Sequence, residues 1–180
     1  MRQTFLRQVS AHPRRLSHSP ARRSRMRSNW VMIPLSLLVA LILTIEPSVP
    51  LYQHYAPQWL LLTVLYWCIR EPNSVGLGVA WLSGLVLDVA TVGLLGANAL
   101  LFTLSAAVVL GLRQMLFFTG PVQQALFIAG LSTVYLLLSL WMQGGIADLT
   151  MLLHNMIRVI SNLVAWPFIL MVFNLFRRRY

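Results

Sequence analysis

The stretch "WLSGLVLDVATVGLLGANAL", residues 81–100, is apolar and glycine-rich, and it holds a single acid, Asp88. How that carboxylate is accommodated decides the fold. Positions four apart leading to it read Gly76, Ala80, Gly84 and Asp88. Residues at that spacing share one face of an α-helix. Small residues on a face let a second helix approach closely. The stripe therefore predicts a packing face, with Asp88 turned into protein. Gly93 and Gly96 follow and mark a tight hairpin, because glycine takes positive φ at no steric cost.

Outward from this stretch the chain is predominantly apolar from about residue 30 onward. Of its 180 residues, 58% are hydrophobic and 10% are charged, with a mean hydropathy of +0.72. These values belong to the membrane class. Six apolar segments can be drawn, at 30–45, 57–69, 75–90, 97–113, 122–142 and 152–176. The breakers "EPSVP", "REPN", "TVGLLG", "FFTGP" and "QGGIADL" separate them. The expectation is an all-α membrane protein with six transmembrane helices. Several segments are shorter than the ~20 residues that a perpendicular span needs. The second is the shortest. It gains length if 51–56 enters the interface, or it is accommodated by local thinning or by burial against neighbours.

Charge sets the orientation. All 14 basic residues are arginines, and the acids are Glu46, Glu71, Asp88 and Asp148. Arg2, Arg7, Arg14, Arg15, Arg22, Arg23, Arg25 and Arg27 precede the first apolar segment, and Arg177, Arg178 and Arg179 follow the last. With six spans both termini share a side, and Arg70 and Arg113 fall in the loops of that side. The opposite loops carry Glu46, His54 and Asp148 and no arginine. This asymmetry follows the positive-inside rule and predicts cytoplasmic termini. Residues 1–29 are expected to be an Arg-rich disordered cytoplasmic tail, and 30–180 a six-helix transmembrane domain. The tail abuts a membrane helix, so its charge points to anionic lipid and a cytoplasmic address rather than to nucleic acid. No small-residue cleavage site follows it, so the first helix reads as an uncleaved anchor.

Helix 6 offers Asp88 a partner. Asn155, Arg158 and Asn162 follow i, i+3, i+7 spacing and form one polar face. Counting residues at the helical rise places Asp88 and Arg158 at similar depth in the outer half of the bilayer core. A buried Asp88–Arg158 pair bordered by amides is the expectation. A fold-holding cluster outweighs a ligand or ion site, because one carboxylate and one arginine make a poor transport relay. Ser36, Ala40 and Thr44 place a small-residue stripe on helix 1, a surface for a partner helix. Cys68 is the only cysteine, which excludes an internal disulfide and a cysteine-based metal site. His54 and His154 do not make a metal site on their own. No catalytic set and no cofactor motif is visible, so no enzyme activity and no cofactor are expected.

Three segments carry a family resemblance: "PQWLLLTVLYW" at 57–67, "GLVLDVATVGLLGANAL" at 84–100 and "NLVAWPF" at 162–168. They resemble MreD, the rod shape-determining membrane protein family of bacteria. The resemblance runs from about residue 30 to the C-terminus, and the long Arg-rich start departs from the family pattern. It implies a non-enzymatic inner-membrane subunit of the cell-elongation machinery, active in cell shape and lateral peptidoglycan synthesis. The implied partners are an MreC-like bitopic protein, with MreB, RodA and a penicillin-binding transpeptidase. Homo-oligomerisation is compatible with the same surfaces. The implied fold is similar to the substrate-binding subunits of energy-coupling-factor transporters. The competing class is a small-molecule-binding subunit of a vitamin-type transporter.

Overall fold

The computed structural model describes residues 20–45, 56–92, 94–142 and 149–179. These form helices α1 (Pro20–Ile45), α2 (Trp59–Arg70), α3 (Leu77–Thr91), α4 (Ala97–Gly111), α5 (Arg113–Phe118), α6 (Pro121–Met142) and α7 (Leu149–Arg179). No strand occurs among the described residues. Each of the six apolar segments lies on a helix. Of these, α6 and the Asn155–Leu175 part of α7 are long and apolar enough to cross a membrane.

The short helix α2 is the centre of the molecule. Every residue from Leu60 to Ile69 is buried, and the helix touches α1, α3, α4, α5 and α7. Its sequence explains this placement: "LLLTVLYWCI" is apolar on all sides, and such a helix is stable only when enclosed. Neighbouring helices cover its short length. Tyr66 stacks on Phe173 with ring centroids 4.5 Å apart, and Trp67 meets the same ring edge-on at 5.4 Å. These contacts fix α7 against α2.

Helix α1 lies on another side of α2. The Trp67 indole Nε1 donates to Ser36 Oγ at 2.9 Å, and the Leu60 N–H donates to Thr44 Oγ1 at 3.2 Å. Ala40 between them is 4% exposed. The Ser36–Ala40–Thr44 stripe therefore serves the chain's own core, not an external partner helix. Its small side chains admit the bulk of α2. The outward face of α1 carries Leu35, Leu38, Val39 and Ile42, all exposed. The helix begins at Pro20, so residues 20–29 are helical where a disordered tail was expected. Proline suits the first turn, and alanine, arginine and methionine are strong helix formers. Residues 1–19 lie outside the described part.

Helices α3 and α4 make the closest approach. A Cβ added at Gly84 would sit 2.6 Å from both Ala99 Cα and Asn98 O. Only a glycine admits the α4 backbone there. Ala80, one turn earlier, is fully buried. Gly76 departs from the predicted stripe: it is the N-cap of α3, and an added Cβ would meet only Pro72 O at 3.8 Å. The packing face thus starts at Ala80, because the helix itself starts after Gly76.

A short helix, α5, runs up to the breaker "FFTGP" and takes in its two phenylalanines, Phe117 and Phe118. Arg113 Nε donates to Ile69 O at 3.0 Å. Gln124 Nε2, buried, donates to Leu116 O at 2.6 Å and to Thr119 O at 3.2 Å. Arg70 lies 5.5 Å from the Phe117 ring centroid. Arg70 and Arg113 therefore share one end of the bundle.

Candidate functional site

Asp88 is in the last turn of α3 and is 1% exposed. Its Oδ2 accepts the Gly96 N–H at 2.9 Å and the Ala99 N–H at 3.2 Å. Its Oδ1 accepts the Asn98 N–H at 3.1 Å. These donors form the start of α4. The first N–H groups of a helix have no intrahelical acceptor. The N-cap of α4 is Gly96, at φ +93°, with no side chain to serve them. The carboxylate of the preceding helix takes that role. Its oxygens also sit at the positive end of the α4 dipole, which favours an acceptor there. The turn between the helices passes through Val92 at φ +52°. Gly93 lies outside the described residues.

The expected Asp88–Arg158 ion pair is not formed. The α4 backbone N–H groups occupy both carboxylate oxygens. A short relay connects the two residues instead. Asn98, whose N–H serves Asp88, accepts the Tyr135 hydroxyl on its Oδ1. Tyr135 lies within electrostatic reach of both Arg158 and Asp88, and its ring sits 5.9 Å from Phe102. The Arg158 Nε is buried without a hydrogen-bond partner.

Asn162 is fully buried and turns towards α2 rather than towards Asp88. Its Oδ1 accepts the Gln58 N–H at 2.8 Å, and its Nδ2 donates to Gln58 Oε1 at 3.4 Å. Gln58 is the N-cap of α2 and has no side-chain cap of its own. Asn162 thus does for α2 what Asp88 does for α4. Asn155 is half-buried, one turn before Arg158. Glu46, His54 and Asp148 lie outside the described residues.

Taken in order, the hydrogen bonds Thr44–Leu60, Gln58–Asn162, Tyr135–Asn98 and Asn98–Asp88, with the electrostatic influence of Arg158 on Tyr135, relate α1, α2, α7, α6, α4 and α3. They form one polar layer at the end of the bundle away from Arg70 and Arg113. Sequence reasoning missed Gln58, Asn98 and Tyr135. The signal for them was the lack of any Ser, Thr or Asp at the starts of α2 and α4, which requires a remote acceptor. Among the described residues, no three of His, Cys, Asp and Glu come together. The layer's chemistry is hydrogen bonding and charge placement.

A family model described as rod shape-determining protein MreD matches residues 24–179. The chain belongs to the MreD family. The match takes in α3 and α4 with Asp88, and the whole polar layer. A Haemophilus influenzae rod shape-determining protein MreD is 32% identical over 80 residues, 44% of this chain and 49% of that relative. The chain thus spans about half the length of this MreD relative. No solved structure matches.

Proposed function

We propose that the chain is a non-enzymatic, multi-pass subunit of the cell-elongation machinery in the bacterial inner membrane. Both termini are cytoplasmic, and the basic start of the chain lies on anionic lipid. The subunit supports lateral peptidoglycan synthesis by binding an MreC-like bitopic protein, in an assembly with MreB, RodA and a penicillin-binding transpeptidase. One observation carries the reading beyond family membership: polar groups are turned inward and large apolar side chains outward. Leu35, Trp81, Leu104, Leu126, Val164 and Phe168 are all exposed. A water-soluble protein rarely exposes apolar surface on this scale, whereas lipid or a partner's transmembrane helix covers it at no cost. The loop arginines favour the stated orientation.

The test is depletion in a rod-shaped host together with purification in mild detergent. Cells should round on depletion, and a bitopic partner should co-purify. Normal rods with a vitamin-uptake defect, and tight binding of a vitamin-like ligand, would favour the transporter-subunit class instead.

A further inference from the structure

Among the described residues, Arg158 is the cation that the polar layer leaves unneutralised. It lies within the apolar stretch Asn155–Leu175. Its Nε is buried with no partner. The nearby acid, Asp88, is committed to the start of α4. The Tyr135 hydroxyl is committed to Asn98. A guanidinium in an apolar span is costly unless an anion or water reaches it. The residue is itself partly exposed, so a group from outside can reach it.

The lengths of the helices show from which direction. Tyr135 meets Asn98 at the start of α4, where α4 and its turn to α3 end. Beyond Tyr135, α6 runs on from Leu136 to Met142, about 10 Å at the helical rise. Helix α7 likewise extends from Arg158 back to Leu149, about 13 Å further out. Helix α2 starts lower still, since Gln58 meets Asn162, one turn below Arg158. Among the described residues, the α6–α7 pair therefore rises above a shelf made by the ends of α2, α3 and α4. Arg158 stands at the level of that shelf, with half-buried Asn155 one turn above it on the same helix face. The rim of the shelf is apolar: Val92 is 92% exposed, Leu94 59% and Leu95 75%. Helices as short as α3 and α4, at about 22 Å each, draw the headgroup region down towards their ends.

We infer that Arg158 is a binding site for a phosphate group at this shelf, supplied by an outer-leaflet phospholipid headgroup or by free inorganic phosphate. The planar guanidinium matches phosphate geometry through paired donors, and the Asn155 amide adds a further donor. The apolar rim receives acyl chains, which favours the lipid as the source. The inference rests on the membrane-spanning reading.

The experiment uses the full chain, extracted in mild detergent and washed free of loosely held lipid. Two probes are added separately, short-chain phosphatidylglycerol and inorganic phosphate, the latter against chloride at equal ionic strength. Bound lipid is counted by native mass spectrometry, and protection is read from thermal unfolding. One phosphatidylglycerol should stay bound and raise Tm. Arg158→Gln should weaken that binding by about tenfold or more, as expected for loss of a charge-assisted contact. Arg158→Lys, which keeps the charge and the fold but loses the fork, should fall between. Protection by lipid alone assigns the headgroup, and equal protection by inorganic phosphate assigns the free anion. Wild-type protein protected by neither probe overturns the site, as does Arg158→Gln binding lipid like wild type. The membrane reading fails separately: protein that leaves the membrane fraction in buffer without detergent sinks it, and the headgroup with it.

Discussion

The Asp88 carboxylate accepts the Gly96 N–H at 2.9 Å, across the turn that joins α3 to α4. Asp88 closes one helix and caps the next. A helix start facing water needs no such device, because water satisfies its free N–H groups. A helix start enclosed by apolar residues does need it. The apolar tip residues Leu94 and Leu95 are exposed, and the acid supplies acceptors that an apolar surrounding would lack. The carboxylate is thus part of the backbone's hydrogen-bond accounting.

Removing that acceptor should be expensive. Asp88→Ala leaves the N–H groups of Gly96, Asn98 and Ala99 unpaired. An unsatisfied buried group costs about 1–3 kcal/mol, so a total loss of about 3 kcal/mol or more is expected. Asp88→Asn keeps one acceptor oxygen and should lose roughly half as much. Thermal unfolding in detergent, with membrane abundance alongside, measures both. An Asp88→Ala protein as stable as wild type would show that α4 does not depend on this cap.

The glycine opposite gives a sharper contrast. At Gly84 a methyl group would meet Ala99 Cα and Asn98 O at 2.6 Å, both backbone atoms. The helices must separate to admit it, and overpacking of this kind costs about 1–3 kcal/mol or more. At Gly78, on the same helix, a Cβ meets nothing within 4 Å. Gly84→Ala should therefore lower Tm and abundance. Gly78→Ala should be neutral or slightly stabilising, by up to about 1 kcal/mol, since alanine is the better helix former. Equal behaviour of the two variants would mean that α3 and α4 are not in close contact.

These residues also show what the sequence could convey. The i+4 pattern placed Ala80, Gly84 and Asp88 on the face that meets α4, because helical periodicity is fixed by geometry. The shortness of α2 left burial against neighbours as one of three ways to accommodate it, and burial is the one the structure takes. The partner of Asp88 was not legible. A comparison of side chains pairs an acid with the arginine at equal depth and overlooks backbone donors, which every residue carries. The Ser36–Ala40–Thr44 stripe shows a similar limit: periodicity identifies a contact face but not whether α2 or another chain fills it. The α5 helix was hidden because "RQMLFF" is too short for a period to register.

The turn residue Val92 offers a gain rather than a loss. It holds φ +52°, a left-handed conformation that is strained for a β-branched residue. The strain is about 1–2 kcal/mol, and it is only partly offset by the greater unfolded-state freedom of glycine. Val92→Gly should raise stability by about 0.5–1 kcal/mol. A lower Tm for this variant would indicate that the exposed valine contributes contacts that outweigh its strain.

Topology can be read with reporters. Arg70 and Arg113 share one end of the bundle, through Ile69 and Phe117, and the positive-inside rule predicts a cytoplasmic location for that end. A reporter fused after Tyr180 should be active only in its cytoplasmic form. One inserted at Asp148 should be active only in its exported form. The reverse at either site ends the six-span arrangement.

The relation between Asp88 and Arg158 is settled by a double-mutant cycle. The two side chains form no ion pair; the connection runs from Asp88 to the Asn98 N–H, from Asn98 to the Tyr135 hydroxyl, and from Tyr135 electrostatically to Arg158. A direct buried pair would give strong coupling, because removal of one partner strands the other charge. A relay through a neutral amide and a phenol transmits less. Asp88→Ala and Arg158→Ala should therefore be nearly additive in stability, with a coupling of about 0.5 kcal/mol or less. Tyr135→Phe breaks the relay while keeping the ring against Phe102. In that background any remaining coupling should fall towards zero, at a cost of about 1 kcal/mol for the lost hydrogen bond. Coupling well above 1 kcal/mol that survives Tyr135→Phe would mean that Asp88 and Arg158 meet directly in the membrane, and that the cap on α4 is shared with an ion pair.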